Sequence, residues 1–368
     1  MNSAAVKKQS EPLVRMVRRE SIGSGKVVFI RLCAVLLALV TGGLLILCLG
    51  HNPFLVYKDM IAGSLGSPTA LRETIRLSVP LLITALGISL AFKMKFWNIG
   101  GEGQILFGAT AASYFALFFY DKIPQVPLLI LMAVAALVAG GIAGLIPALF
   151  KAKWDTNETL FTLMLNYIAL CFVKYLQNGP WKDPTKFGFP KIAMFDAAAK
   201  LPKVFGVNIG WIIALALVLL VYLYINHTKQ GYEVSVVGES PRTAQYAGMR
   251  VGWIVVRTML ISGALCGLVG FIQVSGADYT LTEGTAGGIG FTAITVAWLS
   301  HLNPIIMVVV SFAIAILQKG SNKIQTTFKI PASAADVLTG IILFFMLGCE
   351  FFINYKLVLR SRGEALDG

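Results

Sequence analysis

Charge is scarce in this sequence. Asp, Glu, Lys and Arg make up 13% of the 368 residues, against roughly 25% in soluble domains, and that shortage excludes an ordinary soluble globule. Metal-ligand clusters are missing too. The three histidines, His51, His227 and His301, are scattered, each at the end of an apolar run. The five cysteines, Cys33, Cys48, Cys171, Cys266 and Cys349, form no C-x-x-C pair and sit in or near apolar runs, as small core residues do. No G-x-x-x-x-G-K-[ST] pattern occurs, so the chain does not grip a nucleoside triphosphate by that device. Neither G-x-S-x-G, H-E-x-x-H nor a kinase signature is present. Nothing supports an enzyme.

What the chain has is apolar length, with 57% hydrophobic residues. A helix crossing a bilayer needs about 20 mostly apolar residues, and a membrane β-barrel would alternate apolar and polar instead. The expected fold is an all-α polytopic membrane protein of about ten spans. Apolar segments fall at 28–49, 77–92, 98–120, 126–150, 160–176, 209–225, 254–274, 289–299, 304–317 and 335–353. The pair 289–299 and 304–317 would serve equally as two spans or as one re-entrant hairpin. Gly63, Gly66 and Pro68 read as turns in a loop after the first span. The net charge of +13 is spread over loops and the N-terminal region, which suits anionic lipid headgroups.

The organisation follows: a basic segment 1–27, a membrane-spanning region 28–353 and a basic tail 354–368. With no convincing cleavage site, the first span reads as an uncleaved anchor. Basic residues at both ends place both termini in the cytoplasm. The Lys93/Lys95 turn, the Lys151/Lys153 turn and the stretch 231–250 then fall inside as well. The lysine-bearing loop 178–207 falls outside and weakens the bias. Two glycine-rich helix starts, Gly100–Ala109 and Gly287–Ala293, lie on opposite sides in this topology. That suits an inverted repeat of 74–177 against 252–353, although unrelated glycine-rich starts would look alike.

Two places carry candidate function. Gly231–Arg250, GYEVSVVGESPRTAQYAGMR, is polar between long apolar runs. Ser240 suits an N-cap, Pro241 the first helical position and Gly248 the left-handed stop. Ala244 and Ala247 would give that short helix a smooth face. It reads either as a docking helix for a soluble partner or as an ordinary interfacial loop helix.

The second place is Asn98-Ile99-Gly100-Gly101-Glu102-Gly103-Gln104. An ionisable group at membrane depth is costly and faces the bundle interior or a wet cavity. Asn98 would cap the helix. Glu102 would either satisfy orphan backbone donors at a buried helix start or touch a solute. Asn166, mid-span, carries the same two readings. Lys174 is expected to snorkel. Asp278 and Glu283 fall in an outer loop, where they would either meet an external partner or simply be solvated. Only Glu102 and Glu350 place a carboxylate near membrane depth, which argues against a proton-driven carrier.

The chain resembles permease subunits of bacterial ABC importers of the branched-chain amino acid, ribose and nucleoside type. Phe96–Gly108 looks like the family's Asn-Ile-Gly-x-Glu-Gly-Gln block, and Asn157–Ala169 is similar to a block of its nucleoside-type members. Gly231–Gly248 matches the coupling-helix pattern, followed by Ser262-Gly263-Ala264-Leu265 with Gly267 and Gly270. The resemblance implies a type II importer-like fold in a bacterial plasma membrane. It implies no cofactor on this chain, with ATP used by a separate ATPase subunit. A second related permease and an extracytoplasmic solute-binding lipoprotein would complete the system. Glu239, Ser240, Pro241, Arg242, Ala244, Tyr246, Ala247 and Gly248 would contact the ATPase. Asn98, Glu102, Gln104 and Asn166 would be pathway or gating residues. The implied solute is a nucleoside, with a pentose or other simple sugar as the alternative. One departure is Glu233-Val234-Ser235-Val236, where many relatives carry a basic residue before the glycine.

Overall fold

A helix buried on every side in a membrane protein must be apolar all round and small where backbones cross. Two segments among the described residues meet that description, and the larger of the chain's two units is built around them. In a computed structural model, residues 14–18, 23–184, 188 and 190–359 are described. Much of the basic segment 1–27 and the tail beyond 359, with Arg360 and Arg362, lie outside the described residues.

The elements in chain order are β1 (Val14–Arg18), α1 (Ser24–Cys48), α2 (Pro53–Leu65), α3 (Pro68–Lys93), α4 (Gly101–Phe118), α5 (Gln125–Trp154) and α6 (Glu158–Asn178). After a 3-10 turn at Ala197–Ala199 come β2 (Lys203–Val204), β3 (Val207–Asn208), α7 (Gly210–His227), α8 (Lys229–Glu239) and α9 (Pro241–Tyr246). α10 (Val251–Gln273) runs into a π-helical turn, Val274–Asp278, and α11 (Ile289–Leu299), α12 (Pro304–Phe328), α13 (Ala332–Asn354) and β4 (Tyr355–Leu359) follow. The contacts divide the chain into two units, 1–54 with 333–368, and 55–332.

In the first unit β1 and β4 pair antiparallel, from Val14 opposite Leu359 to Arg18 opposite Tyr355. In the second unit α3 and α10 are the buried centre. α3 is buried without a break from Ser78 to Phe92. α10 packs on α4 and α5, α3 packs on α11 and α12, and α3 and α10 pack on each other. The arrangement is reciprocal: each central helix leans on the elements that follow its counterpart. Glycine makes the α10 crossing possible. Gly263 and Gly267 of α10 face Gly140 and Gly144 of α5, Gly267 also faces Gly108 of α4, and Gly270 faces Ile105 and Ala109. A Cβ at Gly108, Gly140, Gly263, Gly267 or Gly270 would run into the backbone of the facing helix.

Among the described residues, eight helices are long and apolar enough to cross a membrane: α1, α3, α5, α6, α7, α10, α12 and α13. The expected ten therefore includes two that do not qualify on length and composition. α4 has 18 residues but carries a polar start, and α11, at 11 residues, is only about 16 Å long. Two boundaries also differ from the sequence reading. Residues 53–65, read as loop, form α2, whose Val56, Met60 and Ser64 recur at helical spacing and are buried. α12 continues eleven residues past Leu317 because Gly320, Ser321 and Ile324 keep a buried face through the polar stretch. There Gly320 meets Met60, and Lys323 lies on Gly63 of α2.

Candidate functional site

A helix start exposes backbone N–H groups with no partner of their own. In a bilayer no water reaches them, so other groups must. The start of α4 solves this with side chains. Asn98, with no exposed surface, accepts from Gly100 N–H at 3.0 Å and from Gln104 Nε2 at 3.2 Å. Its Nδ2 donates to Gln104 Oε1 and to Ser262 Oγ of α10, both at 3.3 Å. Asn166 of α6 accepts from Gly103 N–H at 2.8 Å and donates to the Ile99 carbonyl at 2.9 Å. Thr162, one turn earlier on α6, accepts from Ile99 N–H at 3.3 Å. Gly103 has to be glycine here, because a Cβ would sit 2.8 Å from Asn166 Oδ1.

The start of α11 has no such side chains of its own. Gly287 and Gly288 take φ values of +53° and +79°, a left-handed turn in which Ile289 N–H bonds back to the Ala286 carbonyl while the Gly288 and Gly290 amides point to an outside acceptor. Glu102 of α4 receives them: Oε1 accepts from Gly288 N–H at 2.7 Å and Oε2 from Gly290 N–H at 2.8 Å. The helix starts are also in direct contact, since a Cβ on Gly290 would meet the Glu102 backbone nitrogen. Glu102 thus ties α4 to α11 across 186 positions of chain.

Asn98, Glu102, Gln104 and Asn166 are therefore gathered at one place, and three of them, Asn98, Gln104 and Asn166, are buried. Sequence reasoning missed Thr162, Ser262 and the Gly288 and Gly290 amides. Ser262 lies in a block already singled out; backbone donors leave no mark in a sequence. Lys174, expected to snorkel, has its ammonium 3.3 Å from a Glu283 carboxylate oxygen. Among the described residues no group of three or more His, Cys, Asp and Glu could hold a metal ion.

The second site is the hairpin at 229–248. It is two helices, not one. Thr228 caps α8 by accepting from Gly231 N–H at 3.1 Å. Ser240 ends α8 and caps α9, accepting from Thr243 N–H at 3.2 Å, with Pro241 at the first helical position. Gly248, at φ +77°, closes it. α8 is fixed from beneath: its Gly231 lies on the Tyr224 and Ile225 carbonyls of α7, and its Gly238 on the Lys93 carbonyl at the end of α3. α9 is bare. Tyr246 is 93% exposed, and Glu239, Arg242, Gln245, Ala247 and Gly248 are exposed with it. Ala244, expected on the outward face, is fully buried. It is the foot of α9, because a six-residue helix turns one face inward and Ala244 falls on it.

Beside α9 lies a cleft of about 670 Å³, lined in part by Lys95, Lys151, Trp154, Glu158, Glu239 and Gln245. Lys151 bonds Asp155 at 2.7 Å and Glu158 at 3.1 Å, stitching the end of α5 to the start of α6. That ammonium holds the Asp155 carboxyl below the usual carboxylate range. Glu233, the departure noted in the sequence, does not face outward. It pairs with Arg257 of α10 at 3.1 Å, and neither side chain is more than 18% exposed.

The chain is similar in sequence to known permeases. A glucose ABC transporter permease of Haloferax volcanii is 33% identical over 88% of this chain and 87% of its own length. A nucleoside ABC transporter permease of Lactococcus lactis is 31% identical over 90% of this chain and 93% of its own. A guanosine ABC transporter permease of Bacillus subtilis is 30% identical over 86% and 91%. The family of branched-chain amino acid transport system permease components matches residues 70–347. That stretch holds both glycine-rich helix starts, both central helices and the capped hairpin, and the chain belongs to this family of membrane-spanning ABC transporter permeases.

Proposed function

We propose that this chain forms the solute pathway of an ABC importer for nucleosides and takes its energy from a separate ATPase subunit. The observation that carries the coupling role is the hairpin: α9 is capped, bare and exposed, while α8 beneath it rests on the ends of α3 and α7. A partner that pushes on Arg242, Gln245 and Tyr246 moves the helices at the centre of the bundle, as rigid-body rocking requires. Asn98, Gln104 and Asn166 hold the start of α4, and Glu102 is the joint that lets α4 and α11 move together. Delivery by an extracytoplasmic binding protein and pairing with a second permease complete the reading.

In this reading α8, α9 and both termini lie in the cytoplasm. The β1–β4 pairing brings the start of α1 and the end of α13 to one side, which supports an even number of crossings. α4 and α11, completing the eight to ten, keep that parity. The reciprocal packing of α3 and α10 supports an inverted repeat.

Nucleosides are favoured by the relatives from Lactococcus lactis and Bacillus subtilis. The Haloferax volcanii relative favours a simple sugar as the second reading. Vesicles holding the whole complex, offered labelled guanosine, uridine, ribose or glucose with and without internal ATP, decide both points. ATP-dependent nucleoside uptake is expected. Uptake by this chain alone under a pH gradient would exclude an ABC importer. Arg242→Glu with Tyr246→Ala is expected to reduce uptake at least about tenfold, and normal uptake would remove α9 from the coupling path.

A further inference from the structure

The end of α3 is held to α8 by close backbone contact, but α10 is held by a different device. Arg257, in the second turn of α10, reaches Glu233 in the first half of α8 at 3.1 Å. The two side chains are 18% and 17% exposed, so most of their surface is out of water. Tyr224 of α7 lies beside them. A shielded pair of opposite charges resists separation far more than a surface pair does, because pulling it apart strands one charge in a poor solvent. α8 therefore meets three helices along its length: α7 at Gly231, α10 at Glu233 and α3 at Gly238. α9 meets Ser240 directly at the end of this rod.

We infer that the Glu233–Arg257 pair is a positioning latch that passes movement of α9 through α8 into α10, alongside the Gly238 contact that passes it into α3. The inference rests on the coupling role proposed above and adds the route by which the hairpin moves both central helices. Without the latch, α8 still rests on α3 and α7, and α10 follows only through its remaining backbone contacts with α8 and α9 and the short link 247–250. Glu233 and Arg257 touch neither nucleotide nor solute in this scheme. Their effect lies in the number of ATP molecules hydrolysed per solute carried.

The experiment uses the complex purified from membranes by a tag on this chain and returned to vesicles. Glu233→Gln and Arg257→Gln are expected to retain the ATPase subunit and to raise ATP hydrolysed per solute imported roughly tenfold, within the usual range of coupling between sites. Glu233→Arg combined with Arg257→Glu is expected to recover most of that loss, because it restores one pair of opposite sign. The melting temperature of each variant separates lost coupling from lost fold. A wild-type ratio in both single variants overturns the inference, and so does a charge-reversed pair that folds but recovers nothing. Departure of the ATPase subunit from Glu233→Gln alone overturns it as well, since the pair would then serve docking. If no ATPase accompanies the wild-type chain, the coupling role itself fails and this inference falls with it.

Discussion

The starts of α4 and α11 are both rich in glycine, but they are completed in opposite ways. α4 begins among its own polar side chains, Asn98 and Gln104, with Asn166 added from α6. α11 begins on bare backbone, two left-handed glycines and a third at Gly290, and borrows one carboxylate from α4. One half of the molecule thus supplies side chains and the other supplies amides. The comparison teaches that the second start cannot be completed alone. α11 is also short, with 11 residues, and Glu102 adds a fixed point at its start to the packing of its buried face on α3. A carboxylate accepting two amides is a strong, charge-assisted clamp, and a clamp between helices of two halves is suited to hold one arrangement until another is favoured.

Four substitutions break or sharpen this contrast. Glu102→Ala leaves the Gly288 and Gly290 amides without their acceptor, and should cost roughly 2–6 kcal/mol at about 1–3 per orphaned group. Unfolding of the purified protein in a denaturing detergent titration checks it, and an unchanged midpoint would mean α11 needs no partner. Asn166→Ala strands one amide and one carbonyl at the α4 start, with about 2–3 kcal/mol expected in the same titration. Because Asn98 and Gln104 remain, its loss should be smaller than that of Glu102→Ala; the reverse order would show that α4 is the dependent start. Glu102→Gln keeps one acceptor but turns an NH2 toward a backbone donor, for a loss of about 1–2 kcal/mol. It should slow transport more than it weakens solute affinity, and a selective loss of affinity with normal assembly would make Glu102 a solute contact. Ser262→Ala removes a single long bond to Asn98 and should cost under about 1 kcal/mol.

Some of this was legible in the residues because polar groups at membrane depth are rare. Asn98, Glu102, Gln104 and Asn166 stood out for that reason, and they meet in space. The caps of α9 were legible because capping is local: Ser240, Pro241 and Gly248 act within a few positions of their own chain. Other features were hidden. Ala244 looked like part of an outward face, yet which side of a short helix is buried depends on what lies beneath it. α2 was lost among turn residues, and the polar half of α12 was lost because hydropathy stops where helix and packing continue. Glu233 looked like a change in the surface offered to a partner, when its partner is Arg257 on α10.

The sequence by itself determined that this is a helical membrane protein with a capped polar hairpin between spans. Apolar length, positive charge and helix caps all act along the chain, over one or two turns. Only the tertiary structure decided what completes each helix start, which face of α9 is free and how α8 is fastened. Those depend on backbone amides, close helix crossings and partners far apart in the chain, and none of these is written at the position it affects.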